Sequence, residues 1–138
     1  MSQSRTRSIY EAVTRGIRVR VQPQYLEHDS EPDDNQFVWA YTIDIENEGT
    51  ETVQLRTRHW IITDGNGRVE HVRGPGVVGQ TPTLSAGEQF RYTSGCKLTT
   101  PSGIMVGTFQ MTSQDSDTFD VAIPAFSLDS PEGRRVVN

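Results

Sequence analysis

An all-β fold, two antiparallel sheets packed face to face, is what the sequence predicts, and three observations carry it. Twelve glycines and seven prolines are scattered through the chain at short intervals. The stretches between them are rich in Val, Ile, Thr, Tyr and Phe. The clearest of these alternates apolar and polar residues strictly, which is the pattern of a strand with one face on a core and the other in water.

Taken in order, residues 1–14 are expected to form a flexible N-terminal segment, in which residues 8–15 hold at most one marginal helical turn. The domain proper is expected over 15–130. It opens with Ile17, Val19 and Val21 alternating with Arg18, Arg20 and Gln22, a strand with a basic face. The acidic run at 27–34 is a loop. Phe37, Trp39, Tyr41, Ile43 and Ile45 then share one face of a strand, against Ala40, Thr42, Asp44 and Glu46. Asn47-Glu48-Gly49-Thr50 supplies a turn to a strand over 53–63, closed by Asp64-Gly65-Asn66-Gly67, which suits a tight hairpin, and 68–73 returns beside it. The facing of 55–62 is ambiguous, because Leu55 and Ile61 alternate out of step with Trp60 and Ile62. Further strands are expected over 89–98, 104–112 and 119–128, and 131–138 as a flexible tail, with 130–135 unpacked. Seven to eight short strands joined by hairpins must pair their apolar faces. A sandwich of the fibronectin type III or immunoglobulin-like kind is the first solution and a small barrel the second.

The chain of 138 residues is long enough for one domain that buries roughly two thirds of its unfolded surface. Thirteen basic against eighteen acidic residues leave a net charge of −5, which argues against nucleic acid as a partner, since duplex binding draws on clustered Lys and Arg. A lone Cys96, no apolar leader and no apolar run of about 18 residues predict a cytoplasmic protein with no intrachain disulfide and no membrane span. Exposed sheet edges leave monomer and homodimer both open.

Gly74-Pro75-Gly76-Val77-Val78-Gly79 is formally G-x-G-x-x-G. Dinucleotide folds place that motif between a strand and a helix. Here Pro82 and a turn follow, so the Rossmann reading fails on context. Two readings remain: a sharp sheet-to-sheet crossing, or an anion nest of backbone N–H groups helped by Arg68, Arg73 or Arg91. The anion or partner-binding candidates are therefore Arg68, Arg73, Gly74, Gly76, Gly79 and Arg91. Arginine pairs at 18 and 20, and at 56 and 58, are each expected to share a strand face. The metal candidates are His28, Asp33 and Asp34 in the acidic loop. No catalytic set emerges, Cys96 reading as a small buried hydrophobe, and no cofactor is expected.

The run His59-Trp60-Ile61-Ile62-Thr63-Asp64-Gly65, then Val72 to Gly79 with its glycines, Leu84 with Gly87-Glu88, Phe90, and Tyr92-Thr93-Ser94-Gly95 resembles the ApaG family. The likeness continues through Leu98, Gly103, Met105, Gly107 and Met111 to Phe119, Ile123-Pro124 and Phe126, and spans about residues 17–131. Gln80-Thr81-Pro82 departs from it where the family tends to show a glutamate and a glutamine before the proline. The resemblance implies a fibronectin-type sandwich. It also implies an association with cobalt and magnesium efflux or resistance, and a non-enzymatic binding or regulatory module acting through protein or small-anion contacts. A protein partner is expected, with phosphate, pyrophosphate or a divalent cation as alternative ligands.

Overall fold

The computed structural model describes residues 9–132 and folds them into nine strands: β1 (Tyr10–Thr14), β2 (Ile17–Tyr25), β3 (Phe37–Asn47), β4 (Val53–Asp64), β5 (Val69–Pro75), β6 (Thr83–Leu84), β7 (Gln89–Leu98), β8 (Gly103–Ser113) and β9 (Thr118–Leu128). One antiparallel sheet has the order β1-β2-β3-β7; the other has β5-β4-β8-β9, with the short β6 also on β4. Between them lies one apolar core, in which Trp39, Ile43, Ile45, Leu55, Phe109, Met111 and Phe126 are all but inaccessible. The two-sheet sandwich is thus present, with the seven long strands close to the positions their alternation marks.

Two strands were not expected. Residues 10–14, assigned by sequence to a flexible segment with a possible helical turn, instead pair with β2 from Tyr10↔Val21 to Thr14↔Ile17. Five residues have no helix-stabilising context, but as a strand they gain cross-strand partners. Glu11 ion-pairs with both Arg18 and Arg20, and the Tyr10 ring lies 6.1 Å from that of Phe126. The domain also holds further along than expected: Ser130 is buried and its hydroxyl donates to the Pro101 carbonyl at 2.6 Å. The remainder of the two predicted tails, 1–8 and 133–138, lies outside the described residues.

Local exceptions to strand chemistry each have a place. Glu48 N–H donates to Gly16 O at 2.8 Å and Leu26 N–H to Val38 O at 2.8 Å, so even residues of β3 bond β2. Pro23 therefore turns its missing donor toward the β1 side, past the end of that strand, and breaks no ladder bond. Pro124 sits in β9 where the register against β8 shifts between Met105 and Gly107. A second bulge falls in β4 between Leu55 and Thr57. It inserts Arg56 and switches the inward set from Val53 and Leu55 to Arg58, Trp60 and Ile62, which resolves the ambiguous facing. Arg56 and Arg58 thus do not share a face: Arg56 bonds Gln54 at 2.9 Å on the outside, and Arg58 turns in.

The basic face of β2 is a solvated one. Arg18 is held by Glu48 at 2.7 Å and by Glu11, and Arg20 by Glu46 at 3.3 Å. This pairing holds the Glu48 carboxyl below its usual value. Asn47, read as a turn residue, is buried. Its amide donates to Glu51 O at 2.7 Å and Leu84 O at 3.0 Å while its oxygen accepts from Gly49 N–H at 2.9 Å. Replacing it with alanine strands those groups, and equilibrium urea unfolding is expected to show a loss of about 2 kcal/mol.

The two long sides of the sandwich differ. On one, β1 meets β9: Ala122 N–H donates to Thr14 Oγ1 at 3.1 Å. On the other, β7 ends one sheet, β5 ends the second, and a groove opens between them.

Candidate functional site

The groove begins with the β4 bulge, because that extra residue is what aims Arg58 inward. Its guanidinium donates to the carbonyls of Pro75 and Gly76, each at 2.9 Å, and lies across Gly74, where a Cβ would stand 2.9 Å from Nη2. Gly74 is small because an arginine covers it. Around Arg58, one cleft of about 400 Å³ is lined by Tyr41, Trp60, Tyr92, Ser94 and the loop Val77, Val78 and Gly79. A second of about 330 Å³ continues it along β7 past Ile62, Glu70, Val72, Cys96 and Lys97. They share Tyr41, Arg58, Trp60 and Ser94, so they form a single groove.

Its floor is aromatic. Tyr41 meets Trp60 edge-on at 5.3 Å, and both meet Phe126 at 5.9 Å. Burial pushes the Tyr41 phenol above its ordinary value, with the Ser94 hydroxyl and then Arg58 pulling the other way. Burial raises Tyr92 much further, Tyr41 adding to it. The Tyr92 hydroxyl is buried with no hydrogen-bond partner among the described residues, an omission that costs about 1–3 kcal/mol. At the rim, Val78 is half exposed and sits at φ +43°, a left-handed conformation that a β-branched residue adopts only at a cost of about 1–2 kcal/mol. Strain and an orphaned polar group at one place are marks of a site that folding alone does not explain.

The candidates named from sequence fare unevenly. The glycine stretch is a return within one sheet: Gly76 N–H bonds Arg56 O at 2.9 Å, Val77 and Gln80 bond each other at 2.8 Å, and β6 rejoins β4. The expected sheet-to-sheet crossing comes later, at Ser85 to Glu88. With the amides of Gly76, Val77 and Gln80 engaged, little of an anion nest is left. Arg68 sits at the far end of β5, about 20 Å from Gly74 along the strand. Arg91 lies on the outer face of the first sheet, 3.2 Å from Asp44. Arg73 is on the outer face of the second, in a shallow cleft of about 460 Å³ that also touches Gly74 and Arg58 and is lined by His59, Gln110 and Asp120. There His59 Nε2 is 2.9 Å from His71 Nδ1. Desolvation, Arg73 and His71 hold His59 below the usual imidazole value, with Asp120 opposing. Charges of both signs make that cleft a poor anion site.

His28 lies in one 3-10 turn (Glu27–Asp29) and Asp33 and Asp34 in the next (Pro32–Asp34). Among the described residues no group of three or more His, Cys, Asp or Glu is placed to hold a metal ion, so these flexible carboxylates do not converge. Burial pushes the Cys96 thiol up to about 11, Glu70 adding to it, which leaves it protonated and a poor nucleophile at neutral pH. Arg58, Tyr41, Trp60, Tyr92 and Ser94 were not among the sequence candidates. The signal that could have found Arg58 is the parity break between Leu55 and Trp60, since only a bulge reconciles the two.

A sequence profile for the ApaG domain matches residues 27–113. Protein ApaG of Brucella anthropi is 62% identical over 130 residues, covering 94% of this chain and 100% of that one. Protein ApaG of Rhodospirillum centenum is 61% identical over 126 residues, covering 91% and 97%. A crystal structure of a Bordetella pertussis protein named ApaA superposes with a TM-score of 0.80 at 47% identity, over 88% of this chain and 96% of that one. The C-terminal domain of Wzt, 13% identical with a TM-score of 0.52 over 88% and 77% of the two chains, shares the fold alone. Among the described residues no helix is long and apolar enough to cross a membrane.

Proposed function

The chain belongs to the ApaG domain family, and from that membership we propose that it is a non-enzymatic binding and regulatory module whose contact surface is the groove between β5 and β7. One observation carries this reading: the groove joins an aromatic floor, an inward arginine and a buried tyrosine hydroxyl that nothing among the described residues satisfies. The strained Val78 at its rim supports it. A partner is a protein rather than a small anion, because three of the loop amides that would cradle a phosphate, those of Gly76, Val77 and Gln80, are engaged. The association with cobalt and magnesium efflux enters as regulation through that partner, not as ion binding by the acidic loop.

Ser94 is half-buried in the groove wall, so Ser94→Trp fills the groove while leaving the core intact. In a strain whose cobalt tolerance depends on a protein of this family, the wild-type chain is expected to restore tolerance. Ser94→Trp, at equal abundance and with an unchanged melting temperature, is expected to restore less than a tenth of it. Full restoration by Ser94→Trp would remove the groove from the function.

A further inference from the structure

We infer that the partner enters the groove as an extended, acidic segment that adds as a strand to the free edge of β7; this rests on the groove being the contact surface. Backbone bonding selects the edge. Asn47 N–H donates to Glu88 O at 2.9 Å, so within the β3–β7 register the even residues of β7 bond β3. Arg91, Thr93, Gly95 and Lys97 therefore turn their N–H and C=O groups to the open side, as an unpaired row. Phe90, Tyr92, Ser94 and Cys96 point their side chains into the sandwich. On the opposite bank, Gly76 N–H bonds Arg56 O at 2.9 Å, so the outward groups of β5 are those of Val69, His71, Arg73 and Pro75. Pro75 has no N–H to offer and guards that edge. Of the two banks, β7 offers the longer unbroken row, four outward N–H groups against three on β5.

Length and charge define the guest. From Tyr92 to Lys97 the groove follows about 17 Å of β7, which accommodates five or six extended residues. Their inward side chains would lie over Tyr41, Trp60 and the exposed apolar rim at Val78. On the outer face of this edge Arg91 and Lys97 stand exposed beside an added strand, Arg91 held by Asp44, while inside the groove Arg58 is opposed by Glu70. This is a positive rim on a chain of net charge −5. A carboxylate or carbonyl at the inner positions would accept the Tyr92 O–H, which has no partner among the described residues. A second copy of this chain fits less well, because a two-fold contact between β7 edges sets the same positive rim against itself.

The test is selection of random twelve-residue peptides displayed on phage against the immobilised full-length protein. Synthetic copies of the enriched peptides are then measured by fluorescence polarisation. The expected result is enrichment of Asp and Glu alternating with apolar residues, binding that falls as salt rises, and at least tenfold weaker binding to Gly95→Pro and to Lys97→Glu. Gly95→Pro removes an outward N–H and sets a ring at that edge, where a Cβ has room at 3.4 Å from Trp39 O, and its fold is verified by the two-dimensional amide spectrum. Peptides without acidic enrichment, peptides indifferent to Gly95→Pro, or no peptide binding below 100 μM would each overturn strand addition. Those results would leave the Ser94→Trp phenotype untouched, so the two readings fail separately.

Discussion

Replacing Phe126 with alanine is expected to lower stability by about 4 kcal/mol, a large fraction of the about 5–15 kcal/mol that a folded domain commonly has in hand. The ring is 1% exposed and touches three others: Tyr10 at 6.1 Å, Tyr41 at 5.9 Å and Trp60 at 5.9 Å, the last edge-on at 85°. It therefore joins the closed side of the sandwich, where β1 meets β9, to the floor of the open groove. Truncation leaves a cavity that neither side can collapse to fill, because Tyr41 is anchored in β3 and Trp60 in β4. Urea unfolding followed by tryptophan emission checks it, with the midpoint moving and the slope preserved. Phe119→Ala is the contrast. That ring is part-buried and stacks on Arg15, whose guanidinium carbon is 4.1 Å from its centre, so about 1 kcal/mol is expected. Equal losses at the two positions would mean that Phe126 does not link the two sides.

The sandwich was legible in the sequence because a period of two depends only on neighbours along the chain. Phe37 to Ile45 alternate without a break, and the structure buries that set. β1 was not legible, because Tyr10–Thr14 gains its strand from partners elsewhere: Arg18 and Arg20 across the hairpin and Phe126 from the far sheet. β6 is two residues long and carries no periodicity at all. The site fared differently. The glycine motif drew attention to the right loop for the wrong chemistry, since its Gly76 and Val77 donors are turned to the chain itself and its Pro75 and Gly76 carbonyls to Arg58. The groove is made by segments far apart in sequence, Tyr41, Arg58–Trp60, the stretch from Glu70 to Gly79 and Tyr92–Lys97, and by the absence of a strand between β5 and β7. An absence between two edges leaves no trace in local pattern; only the misphased Leu55 and Trp60 hinted at it.

The glycine loop itself yields the sharpest comparison, because Gly76 and Gly79 look equivalent in the motif and are not equivalent in space. Both have positive φ, +60° and +78°, so alanine at either incurs the left-handed penalty of about 1 kcal/mol. At Gly79 a Cβ would meet nothing within 4 Å, and at Gly76 it would stand 2.3 Å from the Gln80 carbonyl oxygen. That oxygen is fixed, since it accepts the Val77 N–H at 2.8 Å, and the loop can yield only by giving up this bond and the hold of Arg58 on the neighbouring carbonyls. Gly76→Ala is therefore expected to cost about 3 kcal/mol, overpacking added to strain, against about 1 kcal/mol for Gly79→Ala. Because Gly76 O is one of the two acceptors of Arg58, the damage should travel: amide resonances of Arg58, Trp60 and Ser94 should shift in Gly76→Ala and stay in place in Gly79→Ala. Chemical denaturation and a two-dimensional amide spectrum of each variant measure both halves. If Gly79→Ala proved as costly as Gly76→Ala, the motif would be a matter of backbone handedness alone, and the loop would have no mechanical hold on the groove.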